Sequence, residues 1–231
     1  MVKIDWSRVK AVVFDFDGTL YDKKNYPLYL ILANPLDICK VGAERSVRKG
    51  MKDKDFETAE NFDQAFFQQL AERQKQSVEK AKAWYNEAYL GRFLKVLKKH
   101  YHAQPRVDEL LAKLRDRDVK TAVFSDYQRT EERMEAVGLS PSDFDFCFSA
   151  PDMGALKPAP RLMWEILSQM DVDGPEILVV GDRTDTDGVS ALVVDGQFAQ
   201  IVRKKPEEEV TTHAVMLWDE FVEEAMNVPM G

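Results

Sequence analysis

The segment VVFDFDGTLYD, residues 12–22, runs from three β-branched or aromatic residues straight into acids. Val12, Val13 and Phe14 suit a buried parallel strand, and Asp15 and Asp17 then stand one residue apart at its end. Two carboxylates so close repel unless a cation or a proton compensates them. The segment GDRTDTD supplies further oxygens in Asp182, Asp185 and Asp187, a donor set suited to a hard divalent ion such as Mg²⁺. Beside such an ion, one carboxylate can attack phosphorus as a nucleophile. The other can protonate a leaving group and later accept a proton from water. Ser125 and Lys157 could hold phosphoryl oxygens, the lysine as a point charge. Backbone N–H groups around Gly18 could contribute as well.

These groups need a scaffold that brings them together, and the pattern supplies one. Strands are expected at 10–16, 119–126, 144–149 and 176–182, with shorter ones at 199–203 and 213–217. Val107, Leu110, Leu111 and Leu114 mark a helix over 107–117. A second is expected over 131–139, closed by Gly138, and a third over 160–170, opened by Pro160. Strands alternating with helices predict an α/β fold, a doubly wound, mostly parallel, Rossmann-like sheet. In such sheets ligands bind beyond the carboxyl ends of the strands. Asp15 and Asp17, Ser125 and Asp182 all fall at strand ends, and Lys157 follows the third strand. One acid at a strand end is an ordinary turn residue; polar groups at three strand ends, with a lysine following another strand, are not.

Residues 24–104 differ in character from the rest. They carry 15 basic and 10 acidic residues, against 17 and 30 in the remainder, so a basic insertion interrupts an acidic body. From Glu57 to His100 there is no Pro and one Gly, and Phe62, Ala65, Phe66, Leu70, Trp84, Ala88 and the 90–94 stretch suggest amphipathic helices. The expected organisation is a core of 1–23 and 105–231 with a helical cap of 24–104. Phe62, Phe66, Phe67, Trp84, Tyr85 and Phe93 are read as the insertion's own core, and His100 and His102 as surface residues. Arg45, Arg48, Lys49 and Lys52 fall on one helix face, either solvated or reaching over the pocket toward a substrate's distal end.

The four segments resemble the ordered motifs of the haloacid dehalogenase-like hydrolase superfamily: DFDGTLYD, the Ser of VFSDY, the Lys of ALKPAP and the acids of GDRTDTD. The insertion sits where that family carries a helical cap. The resemblance implies Asp15 as nucleophile and Asp17 as general acid/base. It implies a phosphate site at Ser125 and Lys157, to which the neighbouring Thr19 and Asp126 are added. It implies Mg²⁺ held by Asp15, the Asp17 backbone carbonyl and Asp182, with Asp187 favoured over Asp185 as the second acid of the last motif. True dehalogenases of the family resemble one another in lacking the second Asp, so Asp17 favours phosphoryl transfer. Asp126 after Ser125 and Arg183 after Asp182 depart from the family pattern. The resulting expectation is a Mg²⁺-dependent phosphatase for a small phosphorylated metabolite. A sugar-phosphate phosphomutase and a non-catalytic member are the alternatives.

The net charge of −8 argues against nucleic acid as a partner. The longest apolar run, Pro27 to Leu36, is too short for a bilayer, and the N-terminus lacks a signal-peptide pattern. A soluble, cytoplasmic protein is expected, with its oligomeric state left open. Cys39 and Cys147 lack redox or metal spacing and are expected as buried thiols.

Overall fold

The structure, a computed structural model, describes residues 2–229. Six parallel strands form one sheet in the order β3-β2-β1-β4-β5-β6. They are β1 (Ala11–Asp15), β2 (Lys120–Ser125), β3 (Phe146–Ser149), β4 (Ile177–Gly181), β5 (Gln197–Ile201) and β6 (Ala214–Met216). The central strand β1 is buried throughout, which explains its unbroken apolar run. Its side chains alternate between two cores: Val12 and Phe14 face one, Ala11 and Val13 the other.

Ten α-helices accompany the sheet among the described residues. Between β1 and β2 lie α1 (Tyr26–Ala33), α2 (Ile38–Met51), α3 (Ala59–Gln74), α4 (Val78–Ala83) and α5 (Leu90–His100), α4 and α5 being joined by a wider π-type turn. Then follow α6 (Val107–Arg115), α7 (Thr130–Ala136), α8 (Pro160–Met170), α9 (Val189–Val193) and α10 (Trp218–Met226). Leu110, Leu114, Phe221 and Val222 of α6 and α10 pack on the Val12/Phe14 face. Leu162, Met163, Ile166 and Leu167 of α8 cover the opposite face, so the sheet is doubly wound. Each such buried aliphatic side chain contributes roughly 1.5–3 kcal/mol relative to exposure. None of the helices is long and apolar enough to cross a membrane.

The insertion's helices pack around the aromatic residues singled out in the sequence: Phe62, Phe66, Phe67, Trp84, Tyr85 and Phe93 are all buried. His100 and His102 are exposed, the former stacking on Tyr29 with ring centroids 4.0 Å apart. Two expectations need correction. Cys39 is exposed and Cys147 only half-buried, because Cys39 opens α2 on its solvent side and Cys147 lies on the edge strand β3. The basic face of α2 is not uniformly solvated either. Arg48 is buried, donating to Glu44 (2.9 Å), the Tyr85 hydroxyl (2.8 Å) and the Asp126 carbonyl (2.7 Å), so it fastens the insertion to the loop after β2.

Candidate active site

Strand register sets the site. Asp15 pairs with Phe124, placing Ser125 one residue further along β2, while Phe14 pairs with Val180, so that Asp182 lies just past the end of β4. The three strand ends therefore open on the same edge of the sheet, beyond the carboxyl termini.

Asp15 is 7% exposed and held from both sides. Its Oδ1 accepts from Lys157 Nζ at 2.6 Å and its Oδ2 from the Thr19 hydroxyl at 3.0 Å. The Lys157 ammonium also donates to Asp187 Oδ1 (2.7 Å) and the Phe124 carbonyl (3.2 Å), so all three of its protons have acceptors. Carboxylate oxygens of Asp15, Asp182 and Asp187 lie within 4.8 Å of one another. Gly181 permits this crowding, since a Cβ there would stand 2.3 Å from Asp187 Oδ2. Asp185 lies outside the cluster, pairing on the surface with Arg183 and Lys52.

The electrostatics follow from the burial. Loss of water pushes the Asp15 carboxyl up, against the pull of Lys157 and with the help of the Asp187 and Asp17 charges, to about 7. Burial likewise raises Asp187 and Asp182. Lys157 is held well above its ordinary range, because Asp15 and Asp187 outweigh the burial that pushes it down. The three clustered carboxyls of Asp15, Asp182 and Asp187 share two ammonium groups, those of Lys157 and Lys23. The pocket's donors are oxygens, which fits a hard divalent cation. Asp15, Asp182 and the Asp17 carbonyl could hold it, with Asp187 beside them.

Asp17 is turned elsewhere. Its Oδ1 accepts from the Tyr21 hydroxyl at 2.5 Å, and its Oδ2 accepts from Arg133 and, at 3.4 Å, from Ser125. Burial would raise this carboxyl, but Arg133 and Tyr21 together hold it below the usual carboxylate range. Its backbone carbonyl accepts from Lys23 Nζ at 2.6 Å, and the same ammonium contacts Asp182 Oδ2 at 2.7 Å. Ser125 accepts from Arg133 (2.8 Å) and from the Tyr127 N–H (3.2 Å), and Asp126 Oδ1 accepts the Lys157 backbone N–H (2.8 Å).

A cavity of about 430 Å³ opens over this edge. Asp15, Asp17, Asp126, Lys157, Asp182 and Asp187 line it, with Tyr26 and Phe93 from the insertion forming an aromatic wall and Arg45 a cationic one. Thr19 and Ser125 are fully buried and stand behind the lining. Arg133, Tyr21 and Lys23 were not singled out by the sequence reading. Arg133 had a signal: it falls on the same stripe of α7 as Thr130 and Met134, continued by Val137 just past the helix, a charge in register with buried positions.

Comparison of the sequence with curated proteins gives no match. Solved structures share the fold. A HAD phosphatase from Thermococcus onnurineus superposes with a TM-score of 0.63 at 20% identity, over 94% of this chain and 97% of that one. The L-2-haloacid dehalogenase from Xanthobacter autotrophicus gives 0.64 at 17% identity, over 96% and 100%. At these identities the likeness is one of fold, and it spans a phosphatase and a dehalogenase alike. Membership is carried by the family profile described as haloacid dehalogenase-like hydrolase, which matches residues 9–194. The chain belongs to the haloacid dehalogenase-like hydrolase family.

Proposed function

We propose that this hydrolase is a Mg²⁺-dependent phosphatase that removes phosphate from a small phosphorylated metabolite through a phospho-Asp15 intermediate. The observation that carries the reading is the setting of Asp15: a carboxylate at a cavity mouth, braced by Lys157 and Thr19, next to Asp182 and Asp187. Asp17 supports phosphoryl transfer over dehalogenation. Halide leaves without a proton, whereas an alkoxide needs one, which a second carboxyl at the same mouth could deliver.

In this reading an Asp15 oxygen attacks phosphorus, the ester P–O bond breaks, and Asp17 delivers a proton to the departing oxygen. Water then gives a proton to Asp17 and attacks the phosphorus, releasing inorganic phosphate and the Asp15 carboxylate. Lys157 compensates the charge on the phosphoryl oxygens. When bound, Mg²⁺ would neutralise the phosphoryl group and fix it in line with Asp15. Asp17 must turn away from Arg133 and Tyr21 to serve, so the conformation described is a resting one. Residues 24–104 act as a cap whose Tyr26, Phe93 and Arg45 cover the substrate and exclude water.

The test is a screen of phosphate monoesters with Mg²⁺ against wild type and Asp15→Asn. Wild type should release phosphate without isomerising sugar phosphates, and Asp15→Asn should lose roughly 10⁴-fold or more. Its melting temperature should not fall, because the substitution removes one of three crowded carboxyls. Undiminished turnover in Asp15→Asn, or no phosphate release across the panel, overturns the reading.

A further inference from the structure

Lys23 stands where two of the oxygens assigned to the divalent ion meet. Its ammonium donates to the Asp17 carbonyl at 2.6 Å and contacts Asp182 Oδ2 at 2.7 Å. Mg²⁺ would bind the same two oxygens at about 2.1 Å. An ammonium and a divalent cation cannot both sit against that pair, since contact distances would bring the two positive centres within a few ångströms of each other. From this geometry we infer that Lys23 is an internal competitor for the divalent site: its ammonium holds the Asp17 carbonyl and Asp182 until an ion displaces it. The inference rests on the metal reading given above and concerns how the site loads.

Two further features fit an exchangeable ammonium. Gly18, at φ +99°, opens the passage for the lysine stem: a Cβ there would lie 2.7 Å from Lys23 Cε and 2.6 Å from Asp182 Oδ2. A side chain at that position would have to push the ends of Lys23 and Asp182 aside, and its positive φ suits glycine. The displaced side chain also has somewhere to go. Lys23 lines the catalytic cavity on one side and a larger one, about 790 Å³, on the other, where Asp219 supplies a carboxylate and Asp22 one that it would share with Arg203. The lysine is one-third exposed, so a swing outward does not expel a buried charge through packed core. The metal-free site thus supplies its own counter-charge.

The experiment is a Mn²⁺ titration of the full chain, followed by the EPR signal of free Mn²⁺, with melting temperatures recorded with and without the ion. Lys23→Met and the polar Lys23→Gln should each bind Mn²⁺ about 10- to 100-fold more tightly than wild type, the range expected for releasing one charged hydrogen-bonded contact. Both should melt below wild type without Mn²⁺ and gain more on its addition. Lys24→Met removes the same charge one residue along and should stay within about threefold of wild type, as a screened surface charge does. Asp182→Asn should weaken binding in every background. Unchanged affinity in both Lys23 variants, or an equal gain in Lys24→Met, overturns the inference and leaves the metal reading standing. Absence of saturable Mn²⁺ binding in wild type and both Lys23 variants overturns the two together.

Discussion

Arg133 and Asp17 form an ion pair at the edge of the sheet in which the guanidinium is 1% exposed. The guanidinium carbon also lies 4.7 Å from the centroid of the Phe93 ring and 4.9 Å from that of Phe16, so one side chain joins the loop after β1 to the insertion. Removing one partner of a buried pair strands the other charge in a poor dielectric. Arg133→Met should therefore cost about 3–5 kcal/mol. The double variant Arg133→Met/Asp17→Asn should recover part of that loss, with a coupling of about 1–3 kcal/mol in urea denaturation. Strictly additive losses would show that the two residues do not stabilise one another.

The part of this site that the sequence made legible is the part fixed by strand ends. Asp15, Ser125 and Asp182 follow apolar runs whose parallel pairing leaves them on one edge, whatever the loops do. Lys157 could be placed because it follows a strand and precedes a proline-started helix. Arg133 was harder to see: α7 reads TEERMEA, and a lone arginine among acids looks solvated until the stripe containing Met134 is shown to be buried. Lys23 had no local signal, since its role depends on Gly18 letting the stem pass and on Asp182, far along the chain. Cys39 went wrong for a different reason: cysteine is commonly buried, but that is an average, and the first turn of α2 faces water. Helices α9 and α10 were not anticipated, α9 being one short turn beyond the acidic loop.

Asp37 secures the insertion through an acid-sensitive contact. Its Oδ2 accepts from the Trp84 indole (2.9 Å), Arg92 (2.6 Å) and Asn34 (3.1 Å). Burial would raise this carboxyl, but Trp84 and Arg92 hold it below the usual range. A depressed native pKa stabilises fully above the unfolded value, about 3.9, and that stability is lost as pH falls through the native one. Asp37→Asn should therefore melt below wild type at pH 7, and the gap between the two should narrow as pH falls below about 4. A constant gap between them would assign the loss to packing instead of ionisation.

The two thiols should separate by reactivity. Cys39 is exposed, whereas Cys147 is half-buried with its Sγ 3.7 Å from Met134 Sδ, and burial pushes its thiol up to about 11. Thiolate is the reacting species, so at pH 7.5 one equivalent of maleimide should react quickly and the second far more slowly. Cys39→Ser should abolish the fast phase. Two fast equivalents would mean that β3 opens readily at the sheet edge.

Lys157 should be worth more at high pH than at low. It is the shared ammonium of Asp15 and Asp187, both nearly enclosed, and the Phe124 carbonyl takes its third proton. With methionine in its place the two acids face each other without a counter-charge, and their native pKa values rise further above the unfolded value. Native groups of that kind bind protons more tightly than the unfolded chain does, so stability falls as pH climbs from about 4 through the native values. Lys157→Met should then lose about 3–5 kcal/mol against wild type at pH 8 and distinctly less at pH 5, where a proton substitutes for the ammonium. Urea denaturation at the two pH values measures the difference. Adding Asp187→Asn should restore stability chiefly at pH 8, because it removes the carboxylate that only the lysine had neutralised; a restoration equal at both pH values would point to a volume effect and not to charge.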